Sequence, residues 1–247
     1  MKKHLYIVLV IVLIAIIGVS VFFGYGYFKE KEAVVKPTAT TETSTTSYLP
    51  ENPINFKKLK KQNADIFSWI KIDNTNIDYP ILYPNDKSND YYLRKNIKGE
   101  YDSQGVIWIE NYNDPDWSDP VTVVYGHNIW TKGTRFYQLK KFRDEIFFEK
   151  NRFIQIYAEG RELKYEIYSA FEYDDRHIML SYNFLDDKVY QEFIDYTLNP
   201  LSLSKNVRKN TVVTTNDKLI VLSTCIKGKE NMRYLVVGVQ REDVKTK

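Results

Sequence analysis

Three side chains in this chain have the chemistry of a covalent catalyst. The only cysteine, Cys225, ends the run Val221-Leu222-Ser223-Thr224-Cys225, and Arg233 follows eight residues later in Asn231-Met232-Arg233-Tyr234-Leu235. His127 lies 98 residues before the cysteine, in Tyr125-Gly126-His127-Asn128. A cysteine nucleophile needs its sulfur as thiolate, a proton donor for the leaving group, and a stabiliser for the oxyanion of the tetrahedral intermediate. His127 can exchange the proton. Arg233 can stabilise the oxyanion or hold the substrate backbone, and its positive charge favours a nearby thiolate. Ser223, two residues before the thiol, shares its strand face. Each residue also has a plainer reading. A lone cysteine at a strand end is commonly a small buried apolar residue, a His beside Gly is commonly a turn residue, and an Arg at a strand start commonly makes a surface ion pair worth ~0–1 kcal/mol.

These residues need strands to position them. The β-branched run before Cys225 and Leu235-Val236-Val237-Gly238-Val239 flank a polar segment over 226–231, which reads as a hairpin. Cys225 opposite Arg233 would then put thiol and guanidinium on one face. Residues 121–125 read as a strand that breaks at Gly126, so His127 sits at a strand end like the cysteine. Further strands are expected over 77–83, 105–110, 152–158 and 162–173, with Pro80 suggesting an edge strand or a bulge. Helical patterns cover 56–70 (Phe56, Leu59, Asn63, Phe67, Ile70), 134–142, a short piece over 144–148, and 186–198, where Asp186 or Asp187 can cap, Val189, Phe193 and Ile194 face inward, and Pro200 stops the helix. Many short strands with few helices imply a mainly β domain closed, or nearly closed, into a barrel.

The totals narrow the function classes. The chain has 247 residues, and its 35 basic and 32 acidic side chains are mixed along it, which argues against a nucleic-acid footprint. One cysteine excludes an internal disulfide framework, and the histidines His4, His127 and His177 are too scattered for a metal site. Asp114, Asp116 and Asp119 fit no EF-hand spacing and read as turn chemistry. His177, in Asp174-Asp175-Arg176-His177, reads as part of a polar loop with no role in catalysis.

Residues 5–28 carry no charged side chain. As a helix they reach about 36 Å, enough for a ~30 Å hydrocarbon core. This apolar stretch is longer than the core of a cleavable signal and lacks an A-x-A-like site, so an uncleaved anchor is expected over 1–28. Lysines on both sides leave its orientation open. A Thr/Ser-rich tether over 29–52 follows, then one domain over 53–247.

Tyr125-Gly126-His127-Asn128 resembles the histidine motif of sortases, and Leu222-Ser223-Thr224-Cys225 with Arg233 resembles their TLxTC…R signature. The His-before-Cys order is the sortase order, and papain-like enzymes reverse it. Val221 stands where the signature often has Thr, a change expected to be neutral in a strand core. Phe136, Leu139 and Phe142 after the His motif, the N-terminal helix and the helix before the catalytic strand resemble class B. The charged tail over 241–247 and the late position of Asp114-Pro115-Asp116-Trp117 set the chain apart from class C.

The resemblance implies a sortase-like closed barrel of about eight strands and a thiol transpeptidase that needs no cofactor. Cys225 would attack the carbonyl of a C-terminal sorting signal on a secreted protein and form a thioacyl-enzyme. His127 would protonate the leaving amine, and Arg233 would orient the motif and stabilise the oxyanion. Ser223, Thr224 and Asn128 are the expected substrate-binding neighbours. An amine from a peptidoglycan precursor or a pilin lysine would resolve the intermediate. The implied location is a Gram-positive cell surface, with the domain outside and the membrane engaged through the anchor. A hydrolytic peptidase and an inactive binding domain remain alternatives.

Overall fold

The computed structural model describes residues 49–247; the expected anchor and most of the tether lie outside the described residues. Asn52 Nδ2 donates to Ala158 O at 2.8 Å, and the Lys247 N–H donates to Pro50 O at 3.0 Å. The chain thus joins the domain slightly before residue 53. Among the described residues, no helix is long and apolar enough to cross a membrane.

Eight strands close a ring. Strand β1 (Ile66–Lys71) pairs antiparallel with β2 (Asp78–Leu82), which pairs parallel with β3 (Ile107–Ile109). β3 pairs antiparallel with β4 (Val121–Tyr125), and β4 pairs parallel with β10 (Leu219–Ile226). β10 forms a hairpin with β11 (Lys229–Lys245), which pairs with β8 (Arg161–Asp174). β8 pairs with β7 (Phe153–Ala158), and β7 returns to β1. Closure removes the exposed edges that an open sheet would carry. β9 (Lys205–Val207) adds to β8, and β5 (Asn128–Ile129) with β6 (Thr134–Arg135) forms a separate ribbon.

Both faces of the catalytic-side strands are buried. Ile220 and Leu222 of β10 join the barrel core with Ile70, Ile109, Ile167 and Val236. Leu219 and Val221 face the other way, toward Phe193 and Ile194 of the helix α4 (Asp187–Leu198). Burial on both sides explains why β10 reads as a nearly continuous apolar run rather than an alternating one. Val221 in place of Thr therefore sits in a fully buried, apolar setting. Asp186 caps α4 as expected, accepting from the Lys188 and Val189 N–H groups at 2.9 and 3.2 Å. Its inward residues include Tyr190, whose hydroxyl donates to Pro120 O and Asp217 O, whereas Val189 is only half-buried.

Four expectations need correction or sharpening. The helical stripe over 56–70 stops early: α1 spans only Phe56–Lys60, and Ile66, Ser68 and Ile70 are buried in alternation on β1. An Asn63–Asp65 turn breaks the two apart, with Asn63 Oδ1 accepting the Asp65 N–H at 2.9 Å. Of the two readings of Pro80, the edge strand fails, since β2 lies between β1 and β3, while a bulge-type irregularity does occur nearby in the β1–β2 pairing. The proline is tolerated because β3 pairs only with Ile81 and Leu82. The last strand runs past its apolar stretch into the charged tail: β11 extends to Lys245, paired there with Arg161 of β8. The piece over 134–142 is a 3₁₀ segment, Phe136–Arg143, with Phe136, Leu139 and Phe142 buried, followed by α2 (Glu145–Lys150).

One buried carboxylate fixes the 3₁₀ turn Tyr91–Arg94 against β1. Asp65 accepts from Lys87 at 2.5 Å, from Asn85 at 2.8 Å and from the Tyr92 hydroxyl. Burial pushes its carboxyl up, but these hydrogen bonds outweigh burial and hold it below its ordinary value of 3.8. A depressed carboxylate stabilises the fold above its unfolded value, and that stabilisation is lost as pH falls through the folded one. Asp65→Asn leaves one acceptor oxygen for three donors, so it should lower unfolding free energy by about 1–3 kcal/mol at pH 7. Denaturant titrations should show the gap to wild type narrowing as the pH is taken below 3.8.

Candidate active site

Cys225 is where β10 leaves the core. Residues 219–224 of this strand are all buried, and Cys225 is exposed. The small buried apolar reading of the cysteine therefore does not apply. Cys225 pairs directly with Arg233 across the β10–β11 hairpin, so the two side chains lie on one face of the sheet. The hairpin is tighter than expected: Ile226 pairs with Lys229, and Lys227-Gly228 makes the turn with Gly228 at φ +79°. The Arg233 guanidinium is half-tethered, with Nη1 donating to Glu230 O at 2.9 Å and Met232 O at 3.0 Å.

His127 reaches the same place from β4. The parallel β4–β10 ladder ends at Tyr125 opposite Ser223. Three hydrogen bonds carry the attachment past that point. The Gly126 N–H donates to Ser223 O at 3.2 Å, Thr224 Oγ1 donates to Gly126 O at 2.7 Å, and Asn128 Nδ2 donates to Cys225 O at 3.0 Å. Thr224 and Asn128, expected to contact substrate, thus act here as fasteners between the His127 segment and the Cys225 strand. Gly126 permits this path, because a Cβ there would lie 2.5 Å from Ile107 Cδ1 and 2.7 Å from Phe136 Cδ2.

The imidazole is oriented from the other side. His127 Nε2 lies 2.8 Å from Leu93 O. A carbonyl only accepts, so Nε2 carries a proton and Nδ1 is the nitrogen left to exchange one. Leu93 belongs to the turn that Asp65 anchors through Tyr92. Gly105, at φ +56°, packs against that turn so closely that a Cβ would fall 2.5 Å from Leu93 O.

Two cavities meet at Cys225. One, of about 240 Å³, is lined by His127, Cys225 and Arg233 together with Ser223, Thr224 and His177. The other, of about 670 Å³, lies toward the 3₁₀ segment and includes Asn128 and Cys225 in its wall. The structure thus brings His127, Cys225, Arg233, Ser223 and Thr224 to one cavity and puts Asn128 in the wall of the other.

His177 does not lie in a loop remote from the site, as its polar neighbours suggested. It lines the cavity that holds Cys225. The Leu180 N–H, in the short helix α3 (Ile178–Ser181), donates to His177 Nδ1 at 3.3 Å, which places the ring proton on Nε2, 2.6 Å from Glu110 Oε2. Burial pushes the Glu110 carboxyl up, opposed by His177 and Tyr125; burial, and then the Glu110 charge, pushes the Tyr125 hydroxyl up. Glu110 carried no sequence signal, because an acid after a strand is ordinarily a solvated residue. Only barrel closure sets β3 beside the chain leaving β8.

The Sortase family model matches residues 70–241, spanning both the His127 and the Cys225–Arg233 segments. The chain belongs to the sortase family. Its similar relatives are class B members. Sortase B of Listeria monocytogenes is 29% identical over 201 residues, covering 81% of this chain and 79% of that protein. Sortase B of Staphylococcus aureus is 29% identical over 170 residues, covering 69% of this chain and 67% of that protein. The crystal structure of Clostridium perfringens sortase B superposes with a TM-score of 0.68 at 31% identity, over 76% of this chain and all (100%) of that one. A Staphylococcus aureus sortase B–substrate complex matches with a TM-score of 0.64 at 27% identity, over 76% of this chain and 84% of that one. Among known families, the chain is thus most like class B sortases, and the family is one of cysteine transpeptidases acting on sorting signals and amine acceptors.

His177→Ala would leave a buried acceptor on Glu110 without its donor inside the cavity, a loss of about 1–3 kcal/mol. The expected outcome is a lower thermal stability, partly restored by His177→Gln, with a fall in kcat/KM for peptide cleavage because the cavity that holds Cys225 loses a fixed wall. Gly126→Ala should lower both thermal stability and activity, because Ile107 and Phe136 must shift to admit the methyl group.

Proposed function

We propose that this sortase is a membrane-tethered, class B-like transpeptidase that works outside the cell on the C-terminal sorting signals of secreted proteins. The carrying observation is the placement of the only cysteine: exposed at the end of a buried strand, register-paired with Arg233, and on one cavity with His127.

In this reading the Cys225 thiol passes its proton to His127 Nδ1, and Sγ attacks the scissile carbonyl and forms the C–S bond. The oxyanion is met by the Arg233 guanidinium, whose Nε and Nη2 are not held by the hairpin carbonyls that hold Nη1. When the intermediate collapses, the C–N bond breaks and the leaving nitrogen takes its proton from His127. A neutral amine then attacks the thioester, the sulfur departs with its electron pair, and the proton on the new nitrogen passes to His127. The apolar segment over 5–28 supports an anchor, and the Thr/Ser-rich stretch after it supports a spacer between membrane and domain. The acceptor is a cell-wall precursor amine or a pilin lysine.

The test is cleavage of a peptide library by the full chain, with and without an added amine. Incorporation of the amine into the product is expected. Cleavage without incorporation would make the enzyme a hydrolase, and no cleavage would favour a binding role. Cys225→Ala should abolish both activities. Arg233→Lys should fold normally yet lose about 100-fold in kcat/KM, as for removal of an oxyanion donor, because Lys keeps the charge but not the planar fork. Near-wild-type turnover of Arg233→Lys would remove Arg233 from this role.

A further inference from the structure

The two cavities that meet at Cys225 differ in charge. In the smaller one, Glu110 and Asp175 balance Arg176 and Arg233. In the larger one, Lys140, Lys141, Arg143 and Lys227 face a single acid, Asp144. That acid is already engaged, its carboxylate accepting the Phe147 N–H at 2.7 Å as the N-cap of α2. Arg143 is paired with Glu172 at 3.0 Å. Among the described residues the lysines have no carboxylate partner: Lys141 donates to the Asn74 carbonyl, Lys140 lies over the Tyr137 ring, and Lys227 lies 3.4 Å over the Trp130 ring. Trp130 is half exposed and sits on the β5–β6 ribbon, while Lys227 sits at the β10–β11 turn. Their contact spans the cavity between the two loops that flank the thiol.

We propose that this larger cavity binds the amine acceptor, and that it selects an amine flanked by carboxylates, with Lys140 and Lys227 as the specificity-determining cations. The proposal rests on the transpeptidase reading above. Expulsion of the leaving amine and attack by the new one are the same step in opposite directions on one carbonyl. The acceptor therefore approaches from the side where the leaving segment lay. With the acyl part in the charge-balanced cavity beside Arg233, that side is the larger cavity, whose wall includes Asn128, the neighbour of His127.

The charge serves two ends. It attracts carboxylates on the acceptor. It also disfavours the ammonium form of the acceptor nitrogen, since like charge destabilises a cation, and so supplies the neutral amine that attack requires. An acceptor with no negative group would be repelled. The volume of about 670 Å³ admits a short peptide rather than a bare amine.

The experiment uses the full chain and a peptide it cleaves. Two probe acceptors compete for the thioacyl-enzyme: a short peptide with one free amine and two free carboxylates, and the same peptide with both carboxylates amidated. The readout is the ratio of the two amide products within each enzyme, so changes in cleavage rate cancel. Wild type should favour the carboxylate form by about fivefold or more at low salt, the scale of one or two exposed ion pairs. The preference should shrink at high salt, fall toward unity in Lys140→Gln/Lys227→Gln, and invert in Lys227→Glu. Equal incorporation of the two probes by wild type, or a preference unchanged in both variants, overturns the proposal while leaving transpeptidation intact. A carboxylate preference that appears in peptide cleavage but not in acceptor partition also overturns it, because the cations would then select the leaving segment and not the acceptor. Absence of amine incorporation with either probe overturns the transpeptidase reading and this proposal together.

Discussion

The site depends on a parallel ladder continued by side chains. β4 and β10 run side by side as far as Tyr125 and Ser223. Beyond that, the Gly126 backbone, the Thr224 hydroxyl and the Asn128 amide bind the two strand ends together. These bonds connect the segment bearing His127 to the strand bearing Cys225 without passing through either reactive side chain. A nucleophile and its proton partner must keep their separation to well under an ångström for productive transfer. Strand ends fray unless tied, and here each tie is short and local. Arg233 needs no side-chain tie, since the β10–β11 hairpin sets it opposite the thiol through the register shift between Cys225 and Ile226.

The second constraint is the turn Tyr91–Arg94, which fixes the imidazole. Its Leu93 carbonyl accepts the hydrogen bond from His127 Nε2, Asp65 holds the turn through Tyr92, and Gly105 packs beneath it. The position of a ring at the mouth of the barrel thus traces back to a carboxylate at the start of β1. The short 3₁₀ turn has little stability of its own. It is held by buried polar contacts rather than by helix propensity, which makes a remote acid part of the catalytic geometry.

Much of this was legible in the sequence, for reasons that differ between elements. The strands at Val121–Tyr125 and Leu219–Ile226 stood out because β-branched and apolar residues run without interruption where both faces are covered. The α4 helix showed its cap and its stop. Cys225, His127 and Arg233 stand out by chemistry and order, and the fold brings them to one cavity; the length of the polar link alone does not give the Cys225–Arg233 register, which depends on the shift between Cys225 and Ile226. What failed was local. The stripe over 56–70 has helical spacing by coincidence, and only pairing with β2 and β7 makes Ile66–Lys71 a strand. The pair of Glu110 and His177 was invisible because 67 residues separate the two and nothing but closure of the barrel brings them to hydrogen-bonding distance. The cationic wall of the larger cavity was likewise hidden, since lysines at 140, 141 and 227 look like ordinary solvated charges until the 3₁₀ segment and the hairpin turn face each other.

The account stands on covalent chemistry at one sulfur. The most direct measurement is intact-mass spectrometry of the full chain, quenched in acid during turnover of a cleaved peptide, followed by peptide mapping. The account predicts an adduct equal in mass to the N-terminal peptide fragment less water, carried on Cys225 and cleared when an amine is added before the quench. Continued cleavage with no adduct at any time point, or an adduct mapped to another residue, would contradict it.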